Sequence, residues 1–143
     1  MSDSDFDRFV DQYHAALDEF VRGNPAAMKK LWSRRDDVTL ANPLGPPARG
    51  WKQVEAIMER AASQLSEGEP NQFERLSGHP EAGLAYIVEI ERTRMKVGGS
   101  DEMSAVSLRA TTIFRPEDGL WKVLHRHADP ITTPRPIESI IQA

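Results

Sequence analysis

Apolar residues recur at helical spacing through the first third of the chain. Phe6, Phe9, Val10, Tyr13, Leu17, Phe20 and Val21 make one stripe, which predicts a helix that Ser4 or Asp5 caps and Gly23 ends. Asn24 and Pro25 open a second, short helix carrying Met28, Leu31 and Trp32, with the proline in the first turn, where a missing N–H costs nothing. Residues 38–42 read as a short strand ended by Pro43, and the Pro- and Gly-rich residues 43–50 as a rigid connector. A third helix is expected from about residue 51 to 65. Val54, Ile57, Met58, Ala61, Ala62 and Leu65 line one of its faces, and Gly68 and Pro70 stop it.

The period then changes from 3.6 to two. Residues 72–76 predict a strand, with Gly78, His79 and Pro80 as its turn. Leu84, Tyr86, Val88 and Ile90 alternate with Ala85, Ile87, Glu89 and Glu91, so the first set reads as strongly apolar and the second as mixed. Residues 98–101 make the next turn, 106–115 a strand, and 116–119 a tight turn into the last strand. Helices come first and antiparallel strands follow, which is an α+β arrangement.

Length and composition fit one domain over residues 1–143, and no internal repeat appears. The tail, residues 130–143, is Pro-rich, and its Ile137, Ile140 and Ile141 could dock one helical turn on the body. The chain has 18 basic and 22 acidic residues and a net charge of −4, without a basic block. That argues against nucleic acid as a partner. No run is long enough for a membrane span, the acidic first residues carry no leader pattern, and a cytoplasmic protein is the expectation. Cysteine is absent, which excludes disulfides, thiolate catalysis and Cys-ligated zinc.

Chemistry concentrates in the last strand. His125, His127 and Asp129 alternate and, counted back in twos, share a face with Trp121 and Val123. That predicts a strand beginning in the core and ending in a polar pocket. His127 and Asp129 stand about 7 Å apart along a strand, close enough to pair through their side chains, and a carboxylate fixes the tautomer of an imidazole and raises its basicity. His125 can exchange a proton near neutrality. The alternative is a pair of half-buried sheet histidines satisfied by neighbours. A His-x-His face is also a chelate pattern, but its third ligand would have to be Asp129, Glu89 or Glu91, so neither a metal nor another cofactor is expected.

The order of elements, with Gly23-Asn24, Trp32, Asp37 to Leu40, Gly50-Trp51, residues 108–115 and residues 118–129, resembles the SnoaL-like branch of the NTF2-like superfamily, among polyketide cyclases and ketosteroid isomerases. The resemblance covers nearly the whole chain. It implies a cone of three N-terminal helices on a strongly curved, mostly antiparallel sheet, with a pocket between the concave face and the first and third helices. The convex face commonly makes a dimer. Ketosteroid isomerases use a tyrosine on the first helix, where Tyr13 stands here, and an aspartate near the end of the first strand. Here that strand ends in Asn42, which cannot act as a general base.

The candidate residues are therefore His125, His127 and Asp129 for acid–base work. Tyr13, Trp32, Asn42, Trp51, Arg92 and Arg109 are candidates for holding a ligand. For Arg92 and Arg109 the alternative is cross-strand ion pairing with Glu89 or Glu91, and for the tryptophans it is the core. The function expected is binding of a small, largely apolar carbonyl or carboxylate compound, with isomerase, cyclase or hydratase chemistry open. The alternative is a non-catalytic ligand sensor or oligomerisation module. Because the long strands carry apolar residues on both faces, a homodimer is expected.

Overall fold

The computed structural model describes residues 2–80 and 83–142. Helix α1, Asp3–Phe20, starts at a capping box in which the Ser2 side chain accepts from the Asp5 backbone and Asp5 from that of Ser2. Its chain reverses at Gly23 (φ +94°), whose Cβ position lies 2.8 Å from the Leu65 carbonyl oxygen. The Asn24 side chain accepts from the Ala26 N–H at the start of α2, Ala26–Leu31. Trp32, just beyond that helix, is extended and bridges to Val123.

The sheet comprises β1 (Thr39–Ala41), β2 (Ala48–Arg49), β3 (Leu65–Ser66), β4 (Gln72–Pro80), β5 (Ala85–Val97), β6 (Ser104–Glu117) and β7 (Leu120–Asp129). Strand order is β2-β1-β7-β6-β5-β3, with β4 also paired to β5. Only β1 and β7 run parallel among these pairs. Helix α3, Trp51–Ala62, lies between β2 and β3 and ends earlier than its apolar pattern, because Leu65 and Ser66 pair with Val97 and Lys96. The expected turn at residues 78–80 is instead strand. A register shift between Arg75 and Ser77 carries β4 past it, and Pro80 is tolerated on a strand paired on one side only. The β6–β7 turn has Asp118 (φ 52°) and Gly119 (φ 81°), two successive left-handed residues whose twist suits a tight hairpin.

The sheet curls strongly into a half-barrel around the helices, as an α+β cone. The α1 stripe packs edge-on against it. The rings of Phe6, Phe9 and Tyr13 lie 5.4, 5.6 and 5.5 Å from that of Phe114. Val38, Val54 and Val123 are fully buried in the same core. In the tail, Ile137–Ile140 forms a single 3-10 turn, but Ile137, Ile140 and Ile141 are 72%, 78% and 70% exposed, so this turn is not docked on the body. Residue 143 lies outside the described residues.

One irregularity decides which side chains face inward. In β7, Val123 pairs with Phe114 and His125 with Ile113, adjacent residues of β6, so Leu124 is an extra residue. Such a bulge bends the strand and reverses the phase of alternation. Trp121 and Val123 are buried in the core, and after the bulge Arg126 and Ala128 take the inner face. His125, His127 and Asp129 therefore lie on the outer face, opposite to the expected placement. On β5, Ala85, Ile87, Glu89 and Glu91 are the buried set, and Tyr86, Val88 and Ile90 face out, again the reverse of the apolar reading.

Candidate functional site

A cavity of about 610 Å³ opens between the concave sheet face and the helices. The helices contribute Leu17, Phe20, Met28, Met58 and Ala61, and Trp32 follows the second of them. Strand β1 contributes Leu40, and the sheet adds Met95, Val97, Val106, Leu108 and Ala128. Polar groups are few: Asn42, Gln64, Asn71, Glu91, Thr93 and Arg126. A mostly apolar wall with a small set of polar groups, in this size range, is the usual form of a small-molecule site.

Glu91 and Arg126 are the titratable residues of this lining among the described residues. They form a two-point ion pair, Nη2 to Oε1 at 2.6 Å and Nη1 to Oε2 at 2.7 Å, with side chains 5% and 12% exposed. Arg126 Nη1 also donates to the Tyr13 hydroxyl at 2.9 Å, which is 2.9 Å from Thr112 Oγ1. Strand register makes this possible: Arg126 pairs with Thr112 on one side and Leu40 on the other, while α1 places Tyr13 above them. Burial would lower the Arg126 pKa, but the charge of Glu91 raises it, so the guanidinium stays charged. Burial raises the Tyr13 pKa, and its phenol stays protonated.

A second polar group lies beside this one. Glu89, 2% exposed, accepts from His14 Nε2 at 2.7 Å and Arg75 Nε at 2.8 Å. His14 in turn stacks on Phe73 with ring centroids 3.7 Å apart. Glu89 ties α1 to β4 across the inside of the sheet. It is not part of the cavity wall.

The expected site residues divide accordingly. Trp32 and Asn42 line the cavity. Tyr13, fully buried, reaches it through Arg126. Trp51 lies outside it, with the Arg34 guanidinium 4.1 Å from its ring. Arg92 and Arg109 face out and do pair across strands, but with Glu74 at 2.8 Å and Asp129 at 2.6 Å, not with the expected Glu89 or Glu91, which face inward. His127 Nε2 stands 3.6 Å from Asp129, so that pair forms, but on the outer face. His125 Nδ1 is 2.7 Å from Thr39 Oγ1 on the neighbouring β1. Burial, and then the nearby His127, lower the His125 pKa and favour its neutral form.

Arg126, Thr112 and Asn71 are not among the expected site residues, and Glu91 enters only as a possible metal ligand or cross-strand partner. A signal for the first was present: adjacent apolar Val123 and Leu124 break the alternation, and an inward count resumed at Leu124 reaches Arg126 and Ala128. Among the described residues no group of three or more His, Asp or Glu side chains is placed to hold a metal ion. None of the described helices is long and apolar enough to cross a membrane.

No curated protein matches the chain in sequence. Solved structures share its fold. A ketosteroid isomerase-like protein from Erwinia carotovora atroseptica superposes with a TM-score of 0.71 at 15% identity, covering 87% of this chain and 95% of its own. A protein assigned as a dehydratase of the NTF2-like family from Streptomyces avermitilis gives 0.66 at 20%, covering 88% and 96%. One assigned as a calcium/calmodulin-dependent protein kinase type II association domain from Thiobacillus denitrificans gives 0.67 at 21%, covering 87% and 93%. The family model for the SnoaL-like domain matches residues 7–132. With that match over most of its length and an NTF2-like architecture beneath it, the chain belongs to the SnoaL-like family.

Proposed function

We propose that the protein binds a small, largely apolar organic molecule in the inner cavity, with a carbonyl or carboxylate oxygen turned toward Arg126. The observation that carries this is the contrast inside the cavity: apolar walls around 610 Å³ and one buried Arg126–Glu91 pair braced by Tyr13 and Thr112. Arg126 has five N–H bonds. Among the described residues three are used in hydrogen bonds, which leaves its Nε–H and one Nη2–H to donate.

Binding is better supported than proton transfer. Acid–base catalysis needs a group in contact with the ligand that changes charge near neutrality. Of the two titratable lining residues, Arg126 stays charged and Glu91 is committed to it. The His125, His127 and Asp129 row lies across the sheet from the ligand space. The fold-mates assigned as a dehydratase and as ketosteroid isomerase-like keep a catalytic role in view, whereas the one assigned as an association domain fits the non-catalytic reading.

The test is a thermal-shift screen of cyclic ketones, aromatic acids and polyketide-like compounds, run in parallel on wild type and Leu108→Trp. Leu108 is half-buried and lines the cavity, so an indole there fills ligand space without crowding the core. Compounds that raise the melting temperature of wild type and not of Leu108→Trp support the reading. Equal shifts in both proteins refute it.

We also propose that the outer sheet face joins two copies of the chain. Tyr86 is 38% exposed, and half-buried Val88, Ile90 and Ile113 continue an apolar strip beside it. A sheet with apolar residues on both faces favours cover on both. The charged residues around the strip, Arg92 with Glu74 and Arg109 with Asp129, are already paired within the chain.

A further inference from the structure

Resting on the cavity as the binding site, we infer that it selects an uncharged carbonyl compound and turns away the matching carboxylate, because Glu91 already balances the charge of Arg126. The pairing is the two-point geometry by which a guanidinium grips a carboxylate. Both Glu91 oxygens are used, at 2.6 and 2.7 Å, and the third bond of the guanidinium goes to Tyr13. The charge of Arg126 is thus balanced from within the chain.

An entering carboxylate would meet a wall whose net charge is zero. The Nε–H and second Nη2–H of Arg126 could meet it beside Glu91, a side chain 5% exposed in the middle of β5, but one guanidinium cannot balance two carboxylates. The added carboxylate would lie in an apolar cavity with an unbalanced charge, which is strongly unfavourable. A carbonyl oxygen asks for less. The remaining N–H groups of Arg126 can donate to it while Glu91 stays in place.

Two amides shape the rest of the ligand. Asn42 Oδ1 accepts from the Leu44 N–H at 3.0 Å, which leaves its NH2 to donate. Asn71 Nδ2 donates to Asp18 at 2.9 Å, which leaves its carbonyl oxygen to accept. Asn42 follows β1 and Asn71 precedes β4, strands separated by β7, β6 and β5 in the sheet. A neutral molecule with a carbonyl near Asn42 and Arg126, and a hydroxyl or amide N–H near Asn71, satisfies both ends.

The experiment is calorimetric titration of wild type at neutral pH with naphthylacetamide and naphthylacetic acid, which share one skeleton and differ in charge. The amide is expected to bind tighter than the acid by about tenfold or more. Glu91→Gln keeps the shape, releases the charge of Arg126, and is expected to reverse the order. Equal or tighter binding of the acid by wild type overturns the inference and leaves the cavity reading standing. A folded Glu91→Gln that still prefers the amide overturns the role given to Glu91. Binding of neither compound to wild type removes the cavity reading and this inference with it. If Glu91→Gln does not fold by circular dichroism, the wild-type comparison decides alone.

Discussion

Arg126 and Glu91 are two charges that folding removes from water together. Such a pair adds little net stability over an apolar equivalent, yet removing one partner leaves the other buried and uncompensated. Arg126→Met should therefore destabilise the protein by about 3–5 kcal/mol, and adding Glu91→Leu should recover most of the loss. Urea denaturation of both single variants and the double variant measures this, and a cost for Arg126→Met near zero would contradict the burial described here. His125 makes the opposite case. Its ring faces outward and holds Thr39 through one 2.7 Å hydrogen bond. His125→Ala should lower stability by about 0.5–1.5 kcal/mol, the worth of such a bond, and leave cavity binding at the wild-type affinity. Loss of binding in a folded His125→Ala would bring the histidine row back into the site.

At the scale of elements, the helices and the final hairpin were legible in the sequence because their signals are local. The α1 stripe, the Asn24 side chain turning the chain into α2 and the Asp118-Gly119 turn depend only on near neighbours. The faces of the long strands were not legible. Alternation fixes a face only if the period runs unbroken, and the Leu124 bulge broke it. On β5 the more apolar set faces out, because the inner face spends two positions on Glu89 and Glu91, whose partners arrive from α1, β4 and β7. Long-range polar pairing leaves no mark in local periodicity. Glu89 gives this arrangement a pH signature. Burial alone would raise its pKa, but hydrogen bonds from His14 and Arg75 outweigh that and bring it below 4.5. The folded state then binds fewer protons than the unfolded chain, so this contribution is complete above 4.5 and is lost as pH falls through the lowered value. Glu89→Gln should lower the melting temperature at neutral pH and flatten its decline in acid. An unchanged acid slope would show that Glu89 is not the tie between α1 and the sheet.

As a whole molecule, the protein is a cone with two unlike faces. The inner one encloses apolar space beside the neutralised Arg126–Glu91 pair, and the outer one carries an apolar strip beside a row of histidines. If the outer strip joins two copies, light scattering at micromolar concentration should give twice the chain mass, and Ile90→Lys should return the chain to a folded monomer. A wild-type monomer would refute the assembly without touching the cavity. Methyl-resolved NMR during titration with naphthylacetamide separates the inner face as ligand site from the outer face. Shifts and intermolecular NOEs are expected on Leu40, Met58, Met95 and Leu108, which line the cavity. Shifts confined to Val88, Ile90 and Ile113, on the outer face with His125, would contradict the inner face as ligand site.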